Sequence, residues 1–441
     1  MARRRQHALL LVYLNNRLVG HLAKEPSGAI SFRYDDIWLG WEQAFPVSLS
    51  LPLREDPYRG EPVAAVFENL LPDSEPLRRR VAEKVGARGI DAYSLLAAIG
   101  RDCVGALQFI ADGTGERIDS TTIEGEPVDD AAIEKMLRNL AQAPLGLNRD
   151  EDFRISVAGA QEKTALLHYE GQWFKPRGTT PTTHLIKTQI GQLPNGIDLS
   201  NSVENEFYCL KLFAAFGLPV NDARIHTFGE TTALVIERFD RRWRQDGRLL
   251  RAPQEDCCQA LSIPPSRKYQ SDHGPGMIDI LNLLKGSDTP AEDQKRVLKA
   301  QILFWLTGAT DGHAKNFSIF LRPGGSYSLT PLYDILSAQP SLDAGQIERK
   351  QMKLAMSVGS KNHYRIDQVH ARHFVQTAER AGLPKAIVRE AIEEVRAQAE
   401  NAITQMEAAL PTGFPHYIHE SVSAGVRTRL PSLALPQTAA E

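Results

Sequence analysis

Gly308-Ala309-Thr310-Asp311-Gly312-His313-Ala314-Lys315-Asn316-Phe317, with Tyr333-Asp334 a little further on, is the stretch on which the reading of this chain turns. An aspartate followed by four residues and an asparagine is the spacing of a kinase catalytic loop. There the carboxylate takes a hydroxyl proton and the amide oxygen holds a metal ion. Composition alone gives about one such match by chance in a chain this long, so the setting decides. Phe317–Leu321 and Tyr327–Thr330 read as strands joined by the turn sequence Arg322-Pro323-Gly324-Gly325-Ser326. Asn316 precedes the first strand and Asp334 follows the second, so a hairpin brings both oxygen donors to its open end. A carboxylate and a second hard oxygen, with phosphates and water completing an octahedron, suit Mg²⁺. The same residues could also serve as caps and turn formers at an acidic hairpin mouth.

Further kinase parts occur in order. Lys187 ends the apolar strand His184–Thr188, and Glu204 and Glu206 lie on the amphipathic helix that follows, Ser202–Phe216. Kinases pair a strand lysine with a helix glutamate to hold the ATP phosphates. Glu206 borders the apolar face made by Phe207, Leu210, Phe213 and Ala214, so it is the preferred partner. Glu237, Arg238 and Phe239 follow the strand Thr232–Glu237 in the place of an inter-lobe hinge, where backbone groups would read the adenine edge. Ser156-Val157-Ala158-Gly159-Ala160-Gln161-Glu162-Lys163-Thr164 lies between two expected strands, Phe153–Val157 and Thr164–Tyr169, where a phosphate-covering loop belongs. It has one glycine, so it is no G-x-G-x-x-G, and Glu162 occupies the position where a Walker A loop needs glycine. Lys163 and successive backbone N–H groups could still cradle phosphate; a plain hairpin connection is the alternative. His313 has no second histidine at helical spacing for a metallohydrolase, and there is no G-x-S-x-G elbow for a serine hydrolase.

The rest of the chain bounds the answer. Its 441 residues suffice for two or three domains, and 42% hydrophobic with 24% charged residues is ordinary globular composition. A formal charge of −3 makes no general case for nucleic acid or membrane as the main partner. Cys103, Cys209, Cys257 and Cys258 lack paired spacing, so reduced thiols in a cytoplasmic protein are expected. No apolar run approaches the roughly 20 residues of a membrane span. The basic start and the run Ala8–Leu14 imitate a leader, but Asn15-Asn16-Arg17 interrupts it and Leu18–Leu22 resumes, which predicts a hairpin. Residues 8–112 read as a small α+β unit with strands at 29–33 and 47–51 and helices at 63–71, 75–85 and 92–99. Residues 113–150 read as a polar surface connection and a helix, Asp129–Gln142. Residues 151–243 are strand-rich with one inserted helix, the order of a kinase small lobe. Residues 244–410 read as a helical lobe carrying the catalytic loop, and 411–441 as a proline-punctuated tail. The fold class is α+β: a two-lobed protein-kinase-like fold with an N-terminal α/β subdomain and a mainly helical C-terminal lobe.

In this order the pieces resemble the HipA toxin kinases, the serine/threonine kinase halves of bacterial toxin–antitoxin pairs. The resemblance is carried by Asn69–Ser74, Ile99–Gly105, Asp152–Leu167, Ile236–Trp243, Gly308–Phe317 and Tyr333-Asp334, and it runs from about residue 9 to 410. It implies ATP and Mg²⁺ as cofactors, Asp311 as catalytic base, Asn316 and Asp334 as metal ligands, and Lys187 on the ATP phosphates. Nucleotide contacts would come from Val157, Ala158, Gly159, Ala160, Gln161, Glu162, Lys163, Glu237, Arg238, Phe239, His313 and Tyr333, with Glu206 supporting Lys187. Ser156 would be the autophosphorylated serine. The family's target is an aminoacyl-tRNA synthetase, glutamyl-tRNA synthetase in its best-known branch, and its action is growth arrest and persistence. Its partner is a helix-turn-helix antitoxin, HipB, which binds the kinase and the operon DNA. This chain shows only scattered basic residues near Arg380, Lys385 and Arg389, so operator DNA would be met mainly through the antitoxin. Two other readings stand beside this one: an idle kinase fold acting as corepressor, and a small-molecule phosphotransferase. Asp311, Asn316, Asp334 and Lys187 are all present, against the first; only the resemblance opposes the second.

Overall fold

Leu10–Leu14 and Arg17–Lys24 form the expected hairpin, with Leu14 opposite Arg17. Asn15 takes φ 51° at the turn, a left-handed conformation that asparagine tolerates better than most residues. Gly20 lets the next strand close in: a Cβ there would lie 2.4 Å from the Arg33 carbonyl oxygen. The computed structural model describes residues 7–115, 118, 122–148, 151–159 and 161–435. Its chain divides into two units. The first is Met1–Thr188, His226–Ser266 and Ile319–Tyr327; the second is Gln189–Ile225, Arg267–Ser318 and Ser328–Glu441.

In the first unit an antiparallel sheet has the order Tyr58–Arg59, Ile30–Tyr34, Arg17–Lys24, Leu10–Leu14, Leu107–Ala111. Helices Glu61–Glu68, Glu75–Val85 and Ala92–Ile99 bury Val66, Phe67, Leu77, Val81, Leu95 and Ile99. Ser74 and Asp91 cap the latter two through the backbone N–H groups of Leu77 and Ser94. A second antiparallel sheet runs Thr231–Glu237, His184–Thr188, Lys163–Tyr169, Gln172–Pro176, Gly125–Val128, and Ala223–Phe228 lies at its other edge. Ile133 and Leu137 of the helix Asp130–Arg138 close its core over Leu166, Trp173, Ile186 and Val235.

Three expectations change here. Val47–Leu51 is bent rather than extended, because Tyr34 Oη accepts from Val47 N (3.0 Å) and donates to Leu51 O, which ties both ends to one phenol. Phe153–Val157 is not a strand: its serine bonds instead to segments 70 and 102, described below. The strand beside Gln172–Pro176 comes from Gly125–Val128, at the end of what reads as a surface connection.

The second unit is mainly helical. Pro290–Thr307 is buried almost continuously from Asp293 onward, with Ser202–Ala215, Ala371–Arg380 and Lys385–Ala408 among its other helices. The segment read as a tail contains one more, His416–Arg429, which buries Ile418, Val422 and Val426. Proline stands before this helix, where no N–H is needed. All four cysteines are reduced and buried, and among the described residues no helix is long and apolar enough to cross a membrane.

Candidate active site

In the second unit, helix Pro290–Thr307 stops at Gly308, whose φ of 71° is the left-handed stop conformation that glycine adopts without steric cost. Ala309 N bonds back to Phe304 O (2.9 Å), and the chain leaves the helix to present Asp311 to solvent. A Cβ on Gly312 would come within 2.6 Å of the Phe304 ring, so only glycine lets the loop lie this close. His313 N donates to Asp311 O (2.8 Å) and to Asn316 Oδ1 (3.2 Å), while Asn316 N donates to His313 O (2.9 Å). Asn316 therefore closes the short turn Ala314–Asn316 with its own side chain. Thr330 N donates to Ser318 O (2.9 Å), forming the base of the hairpin. There Asn316 Nδ2 comes to 3.5 Å from Asp334 O. Tyr333 Oη bonds Lys315 O (2.9 Å) and Ser318 Oγ (2.5 Å), which locks the Tyr333-Asp334 corner onto the loop. Asp334 itself sits at φ 59°, a left-handed conformation uncommon for a non-glycine residue and frequent at functional corners.

The donor set at this corner is an amide oxygen and a carboxylate. Among the described residues no group of three His, Cys, Asp or Glu is placed to hold an ion. An amide oxygen paired with a carboxylate fits Mg²⁺, which takes one or two protein oxygens and keeps water and phosphate oxygens for the rest. It does not fit zinc, which wants several nitrogen or sulfur ligands.

The first unit holds the other predicted residues except Glu206. Lys163 and Lys187 are direct cross-strand partners, and both are buried. Two ammonium groups opposite each other on one face of a sheet repel each other. Lys163 Nζ donates to Ala158 O (2.8 Å), and a Cβ on Gly159 (φ 107°) would lie 2.6 Å from that nitrogen. The single glycine of this loop is therefore where the lysine head passes. Ser156 is fully buried; its Oγ donates to Leu70 O (2.8 Å) and its N to Asp102 O (2.9 Å). Asp73 N donates to Gly159 O (3.2 Å), Gln161 Nε2 to Thr188 O (2.9 Å), and Glu162 meets Arg80 at 3.2 Å. Val157 is buried, and Ala160 lies outside the described residues.

Arg238 is absorbed by the fold. Its guanidinium bonds Asp240 (2.8 and 3.0 Å), Asp102 Oδ2 (3.3 Å) and Cys103 O (2.8 Å). Its N–H donates to Thr183 O, and its carbonyl accepts from Arg241 N. Glu237 is an exposed strand end opposite His184, and the Phe239 ring meets Phe320 edge-on at 5.7 Å. Glu206 is buried on Ser202–Ala215, in the second unit.

Two sets of contacts were not read from the sequence. Asp102 collects Arg241 (2.9 Å), Arg251 (3.0 Å), Arg238 and both donors of Thr182 on its two oxygens. Burial alone would raise its pKa, but the guanidiniums of Arg241, Arg251 and Arg238 hold it well below the usual carboxylate range. Tyr269 donates its hydroxyl to Asp311 Oδ1 at 2.5 Å, and its ring meets His313 edge-on at 4.9 Å. Asp102, the run Arg238, Asp240 and Arg241, and Arg251 lie in separate stretches, so no single stretch shows them as one cluster, and Tyr269 stands 42 residues from Asp311.

The model of the HipA-like C-terminal domain matches residues 155–403, and that of the HipA N-terminal domain matches 10–110. The chain is a HipA-family kinase. Over 404 residues it is 33% identical to "Putative kinase Y4mE" of Sinorhizobium fredii, covering 90% of this chain and 91% of that protein. Over 419 residues it is 26% identical to the serine/threonine-protein kinase toxin HipA of Shewanella oneidensis, covering 91% and 90%. Among solved structures it is similar to the Shewanella oneidensis complex of HipA, HipB and operator DNA. The TM-score is 0.78 at 23% identity, covering 96% of this chain and 98% of that one. The HipA-family chain thus has an α+β, kinase-like fold.

Proposed function

We propose that this HipA-family chain is the toxin of a toxin–antitoxin pair and moves the γ-phosphate of ATP to a serine or threonine hydroxyl of a protein. The observation that carries the proposal is the loop in which an exposed Asp311 stands beside Asn316 and Asp334 at the base of one hairpin. The hydroxyl oxygen attacks the γ-phosphorus, its proton passes to the Asp311 carboxylate, and the bond to the bridging oxygen breaks to release ADP. Asn316 and Asp334 would hold Mg²⁺, which neutralises charge on the phosphates when bound. Lys187 and Lys163 hold phosphate, with Glu206 supporting Lys187. The 157–163 loop, His313 and Tyr333 line the nucleotide, and backbone groups at Glu237 and Phe239 take the adenine. Arg238 contributes by fixing that corner through Asp102 and Asp240.

The acceptor in this reading is an aminoacyl-tRNA synthetase, glutamyl-tRNA synthetase first, whose modification arrests growth in the cytoplasm. A HipB-like helix-turn-helix antitoxin binds the kinase and carries it to operator DNA as corepressor; the HipA of similar fold, solved with HipB and operator DNA, supports this. Ser156 is the site of self-inactivation. It has no exposure and its hydroxyl is bonded to Leu70 O, so modification requires the segment to leave its seat. A phosphate there adds about −1.5 to −2 charges and keeps the segment out, lowering ATP affinity.

The test is purified chain with labelled ATP, Mg²⁺ and purified glutamyl-tRNA synthetase, beside Asp311→Asn. The expected result is label on the synthetase and on Ser156 from the native chain only, with ATP binding kept by the variant. Undiminished transfer by Asp311→Asn would dispose of the base assignment, and an inert native chain would favour the idle corepressor.

A further inference from the structure

An exposed carboxylate turns freely about its side-chain torsions, yet a general base must hold an oxygen within hydrogen-bond reach of its substrate. Asp311 is exposed, and one contact that holds it comes from Tyr269, whose hydroxyl donates to Oδ1 at 2.5 Å. We propose that Tyr269 is a positioning residue for Asp311, an inference that rests on the kinase reading of that aspartate. The tyrosine is built in rather than draped over the loop. Its carbonyl accepts the N–H groups of Asp272 (3.0 Å) and Gly274 (2.9 Å), which rolls residues 269–274 into a tight turn. Gly274 admits no side chain, since a Cβ would sit 1.9 Å from Arg267 O. The next residue, Gln270, accepts from Ser357 N at 2.7 Å through Oε1, which bolts the turn to strand Lys353–Val358. The ring rests edge-on against His313, itself buried inside the Asp311–Asn316 loop.

Anchoring at the backbone, at the neighbouring side chain and at the ring separates this device from a displaceable lid. A lid needs few fixed contacts; this tyrosine is held at its backbone, at its ring and at its hydroxyl. With Oδ1 held by Tyr269, the carboxylate is oriented so that Oδ2 meets the incoming hydroxyl. The phenol thereby acts on the reaction through Asp311 and does not touch the phosphate.

The test uses the full chain with labelled ATP, Mg²⁺ and glutamyl-tRNA synthetase, and autophosphorylation is read in parallel. Tyr269→Phe removes only the hydroxyl and keeps the ring on His313. Its kcat should fall about 10- to 100-fold, as misplacement of a reacting group does, while KM and Kd for ATP stay at native values. Tyr269→Leu should fall no less. Unchanged kcat overturns the proposal. A raised kcat, the mark of a plug in the acceptor position, overturns it too, as does label on Tyr269 itself. An activity-independent arm is the unfolding cycle of Tyr269→Phe with Asp311→Ala. The two changes should be non-additive by at least about twofold in the unfolding constant, and additivity overturns the contact. A native chain that transfers no phosphate refutes the kinase reading. An active native chain with an unimpaired Tyr269→Phe variant refutes the positioning role alone.

Discussion

Asp102→Ala should cost the fold about 3–5 kcal/mol, the range for removing one partner of a buried ion network. The magnitude follows from what is left behind. Asp102, Asp240, Arg238, Arg241 and Arg251 are each less than 10% exposed, so the native cluster sets three guanidiniums against two carboxylates. Without Asp102, three guanidiniums face Asp240 alone, and the two Thr182 donors lose their acceptor. A typical domain has only about 5–15 kcal/mol to lose, so the variant should unfold at markedly lower urea. The control is Glu400→Ala, which breaks an exposed pair with Arg427 whose side chains are 63% and 51% accessible; it should cost less than about 1 kcal/mol. Urea unfolding followed by circular dichroism gives both numbers. The pH dependence supplies a second check. The folded pKa of Asp102 is depressed from about 3.8, so its contribution is full above that value and is lost as pH falls below it. The gap between native and variant should therefore narrow in acid. An Asp102→Ala cost no larger than that of Glu400→Ala would refute the buried-network account.

If Lys163 and Lys187 serve one anion as proposed, Lys163→Met and Lys187→Met should each weaken ATP binding at least tenfold, and the double variant should lose less than the product of the two; isothermal titration decides. Burial pushes the Glu255 carboxyl up to about 8, with Leu49 N donating to its Oε1 at 2.8 Å. The native state then holds a proton that the unfolded chain releases from about pH 4.5, so stability should fall as pH rises from about 4.5 to 8 and level off above. Glu255→Gln keeps the acceptor and should abolish that slope, gaining up to about 5 kcal/mol over the native chain at pH 9; parallel slopes for the two proteins would count against it.

What the sequence made legible was local. The hairpin around Asn15, the helices Glu75–Val85 and Ala92–Ile99, and the Asp-x4-Asn loop beside a turn-rich hairpin all carry their signals within about twenty residues. What escaped depends on partners far along the chain. Phe153–Val157 has the apolar alternation of a strand, but Ser156 bonds to Leu70 and Asp102 instead of a ladder. Gly125–Val128 contains a glycine, a glutamate and a proline, poor strand formers, and is extended because Trp173–Pro176 offers a free edge. Prolines before His416 read as the mark of a tail, yet they precede a helix with a buried face. Tyr269 carries no pattern at all, since its role is set by a turn that only Gly274 permits.

The three stretches Asn69–Ser74, Ile99–Gly105 and Ser156–Lys163 look like separate signals, and in the first unit they form one object. A phosphate-covering loop normally gets its shape from several glycines, which let the backbone curl around oxygen atoms. The 156–163 loop, proposed for that role, has one, so its shape must be imposed from outside. Asn69 fixes the first stretch by donating to Ala65 O (2.7 Å) and Ile263 O (2.9 Å), and Leu70 O then receives the Ser156 hydroxyl. Asp102 is fixed by its three arginines and offers its carbonyl to Ser156 N. Pro72 bridges Gly159, and Asp73 N reaches its carbonyl. The N-terminal segment is thus a template for the loop, and the loop's conformation is only as stable as that template. Ser156 stands where the template grips hardest, at two hydrogen bonds and no exposure. A single added phosphate there would break the Oγ bond and place charge in a site that has no solvent. Under the proposed function, a loop poor in glycine is therefore easier to switch than a glycine-rich one, because losing its external grip loses its shape.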